Sequence, residues 1–78
     1  MLISLVEMKT GEMGRVVELK GGRGFSDRIS SMGLRVGKDI RKIDAGIFRG
    51  PQTVLIDGFQ IALGYGMALK ILIEVNRE

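Results

Sequence analysis

The 78-residue chain has no cysteine, no histidine and no tryptophan, and only one proline. Without cysteine there is no disulfide framework, thiolate zinc site, iron–sulfur cluster or cysteine nucleophile. Without histidine there is no Ser-His-Asp relay, no imidazole haem ligand and no HExxH site. These two absences remove most of the chemistry open to a small enzyme, and a non-enzymatic binding or regulatory module is the expectation. Long apolar runs are missing as well. The longest uncharged stretch, Gly58 to Leu69, is interrupted by three glycines. It falls short of the ~18–20 apolar residues that span a bilayer, so membrane insertion is not expected. The opening MLISLVEMK lacks a basic n-region and reaches Glu7 before an apolar core can form. It does not read as a signal peptide, and the cytoplasm is the default location.

Glycine is abundant: 12 residues, about 15% of the chain against an ordinary share of about 7%. A chain of this length is expected to form one domain over residues 1–78, with a modest core. Residues 15–49 carry nine bases, Arg15, Lys20, Arg23, Arg28, Arg35, Lys38, Arg41, Lys42 and Arg49, against four acids. Such a basic middle suits nucleic acid, an anionic membrane surface or an acidic protein partner, and equally a solvated surface.

Local patterns predict about five short strands. Ser4-Leu5-Val6-Glu7 is a capping-box pattern for one helical turn. In MGRVVELK, Met13, Arg15, Val17 and Leu19 share one face, the mostly apolar one. Phe25, Ile29 and Met32 then recur at i, i+4 and i+7. They predict a short inserted helix with all three on the core, capped by Ser26 or Asp27 and ended by Gly33. In KDIRKIDA, Ile40 and Ile43 break alternation, which a bulge would reconcile. QTVLI and FQIAL flank Asp57-Gly58, the dipeptide of a type I′ hairpin turn, with Val54 and Ile56 on one face and Phe59, Ile61 and Leu63 on the other arm. One helical turn near Gly64–Leu69 and a last strand bearing Ile71, Ile73 and Val75 complete the chain. The sum is a mainly β fold, a small SH3-like barrel of about five strands with one short helix, and an OB-fold as runner-up.

Few constellations carry chemistry. Lys20 to Gly24, KGGRG, precedes a helix but lacks a P-loop's spacing and a βαβ context, so no nucleotide is expected. The carboxylates Glu7, Glu12, Glu18, Asp27, Asp39, Asp44, Asp57, Glu74 and Glu78 show no ligand-like spacing. No cofactor is assigned, and a weak or shared transition-metal site stays open. Nucleic-acid binding would need exposed aromatics for stacking. Phe25 and Phe59 are assigned to the core, leaving Tyr65 and Phe48, the latter in the loop AGIFRGP beside Arg49.

The ordered elements resemble the FeoA family, ferrous iron transport protein A. The resemblance rests on Ser4-Leu5 and on Gly11-x-x-Gly14-x-Val16. It continues through Ile29-Ser30-Ser31-Met32-Gly33-Leu34-Arg35-x-Gly37, then Gly50-Pro51 and Gly58-x-x-Ile61-Ala62-Leu63, over roughly residues 3–75. It departs from the family at Gly64-Tyr65-Gly66, where a charged helical turn is usual. The resemblance implies an SH3-like barrel and a cytosolic accessory of a membrane ferrous iron permease that carries a G-protein domain. It also implies a location peripheral to the membrane through that partner, and a label of transition-metal binding. The same domain occurs fused to iron-dependent repressors. Expected contacts with the partner are Arg23, Arg28 and Ile29 on the glycine loop and helix, and Phe48 and Arg49 at the loop tip. A nucleic-acid-binding barrel, a metal-responsive regulator and a homo-oligomer are the alternatives carried forward.

Overall fold

In a computed structural model, residues 1–77 are described; Glu78, counted above among the carboxylates, lies outside them. The strands are β1 (Leu2–Ser4), β2 (Met13–Leu19), β3 (Asp39–Asp44), β4 (Gln52–Ile56), β5 (Phe59–Leu63) and β6 (Ile71–Glu74). A 3₁₀ turn (Leu5–Glu7) follows β1, helix α1 (Gly22–Ser31) follows β2, and one-turn α2 (Tyr65–Ala68) precedes β6. All strand pairs are antiparallel, in one sheet of order β1-β6-β2-β3-β4-β5. The fold is mainly β, as expected, with six strands instead of five. The extra one is β1, three residues paired to β6 through Ile3↔Ile73. Three residues are too few to show alternation, so only the partner strand makes this segment visible.

The inward side chains of all six strands, with Leu5, Ile29, Leu34 and Ala68, meet in one cluster. The hairpin forms as its sequence requires: Asp57 and Gly58 take φ of 51° and 83°, the paired positive values of a type I′ turn. The bulge expected in β3 lies between Lys42 and Asp44. In the 3₁₀ turn the Glu7 carboxylate accepts the Ser4 amide at 3.1 Å.

Three expectations of burial and one of helix capping are corrected. In β2 it is Val16, fully buried, that faces the core, while Met13, Arg15 and Val17 are exposed. A register shift between Val16 and Glu18 then returns Leu19 to the core side, so a strand with a bulge keeps no single face. Helix α1 starts three residues before Phe25, without a side-chain cap from Ser26 or Asp27. A Cβ on Gly21 would lie 2.5 Å from the Phe25 ring, and Lys70 Nζ stands 5.3 Å from the ring's centroid. Gly22 enters the helix at φ of 78°, a conformation that suits glycine, and docking of that ring offsets the poor helix propensity of Gly24.

Met32 is exposed, and Leu34 takes its place. The Leu34 amide donates to the Ile29 carbonyl at 3.3 Å and the Gly33 amide to Ser30 at 2.9 Å, a Schellman motif that folds Leu34 back beside Ile29. Phe59 is 72% exposed because it stands at the turn end of edge strand β5, while Leu63 at the other end of the same face is buried.

Candidate functional site

The loop between β3 and β4 is short, strained and tied at its base. Asp44 Oδ1 accepts the Gly46 amide at 3.0 Å, and the Gly50 amide closes back on the Ile47 carbonyl at 2.9 Å. The buried Gln52 amide group at the start of β4 donates to the carbonyls of Ala45 and Gly50. Gly46 has φ of 68°, and a Cβ there would stand 2.6 Å from the Pro51 carbonyl oxygen, so only glycine fits. Phe48 and Arg49 sit at φ of 50° and 60°. Left-handed backbone costs a residue with a Cβ about 1–2 kcal/mol, and such strain persists only where surrounding bonds over-determine it.

This scaffold projects Phe48 at 100% exposure beside Ile47 at 80%. The Arg49 guanidinium lies over the Tyr65 ring, 5.7 Å from its centroid. That engages one of the two aromatics the sequence left for stacking on a nucleic-acid base; Phe48 stays exposed, as does Phe59 on β5. Ile47 was not singled out from sequence, although it shares the glycine-bounded tip; its apolar character next to Phe48 was the available signal.

Helix α1 gives a different result. Arg23 and Arg28 are exposed, whereas Ile29 has no exposed surface. Ile29 therefore cannot be a contact residue: it lies on the apolar stripe that docks α1 on the sheet. Residues 21–24 are not an exposed glycine loop either, since Gly22 to Gly24 form the first turn of α1. The two segments meet opposite ends of α2, Arg49 at Tyr65 and Phe25 at Lys70 just past the helix.

Lys42, counted above in the basic surface, is fully buried. Its Nζ donates to the Leu5 carbonyl at 2.7 Å and to Val6 at 3.4 Å, fastening β3 to the 3₁₀ turn. Burial pushes its pKa below the usual lysine value, against the opposing pull of Asp44 and Glu12. The Glu12 carboxylate accepts two hydrogen bonds from Arg77, both at 2.7 Å, and one from the Lys9 amide at 3.0 Å. The Arg77 bonds first, then Lys9, hold its pKa down at about 2. Glu12 thus serves as an anchor for the tail. Among the described residues, no three acidic side chains gather as a metal site would need. Among the described residues the carboxylates do not fit a resident metal ion.

The family model described as FeoA domain matches residues 3–75. The chain belongs to the FeoA family. It is 35% identical over 66 residues to a protein of Methanocaldococcus jannaschii assigned to Fe(2+) transport as transport protein A, covering 85% of this chain and 78% of that one. The crystal structure of an iron uptake regulatory protein, FeoA, superposes with a TM-score of 0.85 at 31% identity, over 95% of this chain and 96% of the other. A manganese-dependent transcriptional repressor shares the fold at a TM-score of 0.86 and 21% identity, but this chain matches only 42% of its length. The FeoA family is associated with ferrous iron transport, and its SH3-like fold agrees with the sheet described above. Among the described residues of this FeoA-family chain, no helix is long and apolar enough to cross a membrane.

Proposed function

We propose that this chain is a non-enzymatic accessory protein of ferrous iron uptake, a single FeoA-like module over residues 1–78 that works in the cytoplasm. It binds a membrane ferrous iron permease carrying a cytosolic G-protein domain and lies at the membrane only through that partner. The FeoA match over residues 3–75 carries this reading. The surface that suits it is the strained loop, where Phe48 is held fully exposed next to Arg49, with Arg23 and Arg28 as basic contacts on α1. An exposed aromatic on a preorganised loop loses little conformational entropy on docking, and aromatic and Arg side chains are favoured anchors at protein interfaces.

Co-purification tests the reading, with the full permease in membranes and with its soluble G-protein domain as baits. Retention on at least one bait is the expected result, lost in Phe48→Ser with the fold intact by circular dichroism. A folded wild-type chain retained by neither bait overturns it. Salt-dependent retention on DNA or RNA in place of the permease would favour the nucleic-acid reading.

A further inference from the structure

The outer edge of β5 is unprotected, and we infer that two copies of this chain pair there, β5 against β5 in antiparallel register, to form a two-fold dimer. The inference is independent of the permease reading and uses a different surface.

The type I′ turn dictates which backbone groups are free. Residues flanking a two-residue hairpin loop form a hydrogen-bonded pair, and such pairs alternate along the ladder. Ile56↔Phe59, Val54↔Ile61 and Gln52↔Leu63 therefore exchange bonds between β4 and β5. Gln60 and Ala62, in the alternate positions, turn their N–H and C=O groups away from β4. No other strand neighbours β5, so two donors and two acceptors face outward in line.

Edges of this kind are ordinarily guarded by charge, proline, a bulge or shortness. The opposite edge, β1, is only three residues long. β5 is five residues, FQIAL, with no charge and no proline, and its ladder with β4 has no register shift. A groove runs beside it, its apolar side formed by Met32, Ile56, Phe59 and Ile61 and its polar end by Ser31 and Asp57, with Phe59 72% exposed at the lip.

A second copy is the occupant that fits because the strand complements itself. With the two-fold axis on Ile61, Gln60 of each chain stands opposite Ala62 of the second copy. The four outward groups of each strand are then satisfied in two hydrogen-bonded pairs. Ile61 meets Ile61 across the axis, and Phe59 comes to lie opposite Leu63. No charged side chain belongs to the paired strands. That matters for a molecule of net charge +3, whose copies repel across most other surfaces. One strand pair per copy makes a small contact, so the dimer is weak and reversible.

Sedimentation velocity of the full chain from about 10 µM to about 1 mM, the range suited to a weak interface, tests the pairing. The expected result is a reversible monomer–dimer equilibrium within that range. Amide hydrogen exchange on the same samples should slow at Gln60 and Ala62 with rising concentration, while Ile61, already bonded to β4, stays unchanged. Gln60→Lys, which sets like charges across the axis, and Ala62→Pro, which deletes one outward donor without touching a β4 bond, should each weaken dimerisation at least tenfold. A monomer at about 1 mM overturns the inference. So does a dimer in which the Gln60 and Ala62 amides exchange as fast as in the monomer. The exchange experiment decides the matter on the wild type even where a variant fails to fold.

Discussion

Two segments look alike as sequence. Residues 21–29 and 44–52 each combine glycines, arginine and a phenylalanine, and both suggest an exposed arginine beside an apolar contact. The structure treats them in opposite ways. In the first, helical geometry gathers Phe25 and Ile29 on one stripe and buries that stripe against the sheet, leaving Arg23 and Arg28 outside. In the second, too few residues connect β3 to β4 for a stripe to form. The chain passes through left-handed backbone at Phe48 and Arg49, and the apolar side chains point away from the fold. An apolar residue becomes core or contact according to whether the local backbone repeats often enough to turn it inward.

Substitutions in the two segments separate these outcomes. The largest effect is expected from Ile29→Ala, which leaves a cavity under α1 and should lower unfolding stability by about 2–5 kcal/mol in urea titrations. A loss under about 0.5 kcal/mol would place Ile29 back on the surface. Next is Gly46→Ala. Its Cβ has to displace the Pro51 carbonyl in a conformation that disfavours it, and a cost of about 1–3 kcal/mol is expected. If that variant is as stable as the wild type, the loop is not held and the comparison fails.

A smaller effect belongs to Lys42, the one lysine taken fully into the core. With its folded pKa lowered by burial, Lys42 sheds its proton in the folded state before the unfolded state does. The unfolded chain then binds more protons, so stability rises with pH from the folded pKa up toward the ordinary 10.5. Relative to Lys42→Met, the wild type should gain stability as alkaline pH climbs through that window. Equal pH profiles for the wild type and Lys42→Met would mean that the ammonium is solvated. The smallest change in stability belongs to Phe48→Ser, within about 0.5 kcal/mol of zero because the ring touches nothing it holds together. Its effect should fall on retention by the permease, and a marked loss of stability would show that Phe48 packs on the fold.

How much of this was legible in the sequence varies with the range of the interaction involved. The Asp57-Gly58 hairpin, the bulge near Ile43, the single turn at Tyr65 and the last strand follow from residues a few positions apart, and each stands where expected. The loop tip was also legible, because Phe48 between Gly46 and Pro51 has no periodic partners to join. The misplacements share a different cause. Alternation alone puts Val17 on the apolar face, because it runs straight through a bulge that β6 imposes. Helical spacing alone puts Met32 inward, because it ignores the Schellman turn that substitutes Leu34. Alternation with Ile61 and Leu63 puts Phe59 inward, because strand order and distance from the turn are not written in the local pattern.

Sequence alone determined the class of this molecule and its punctuation. The missing histidine and cysteine exclude only the chemistry those two side chains carry, and the glycines and alternating runs prescribe a small antiparallel β fold with one inserted helix. The ordered motifs from Ser4 to Leu63 carry the FeoA resemblance. Tertiary structure alone decided which lysine is buried, that Phe59 is exposed and which strand is an edge. Those outcomes depend on what lies across the sheet. Lys42 is buried because the carbonyls of Leu5 and Val6 come to it from 37 and 36 residues away, a distance at which no local pattern in the chain carries information.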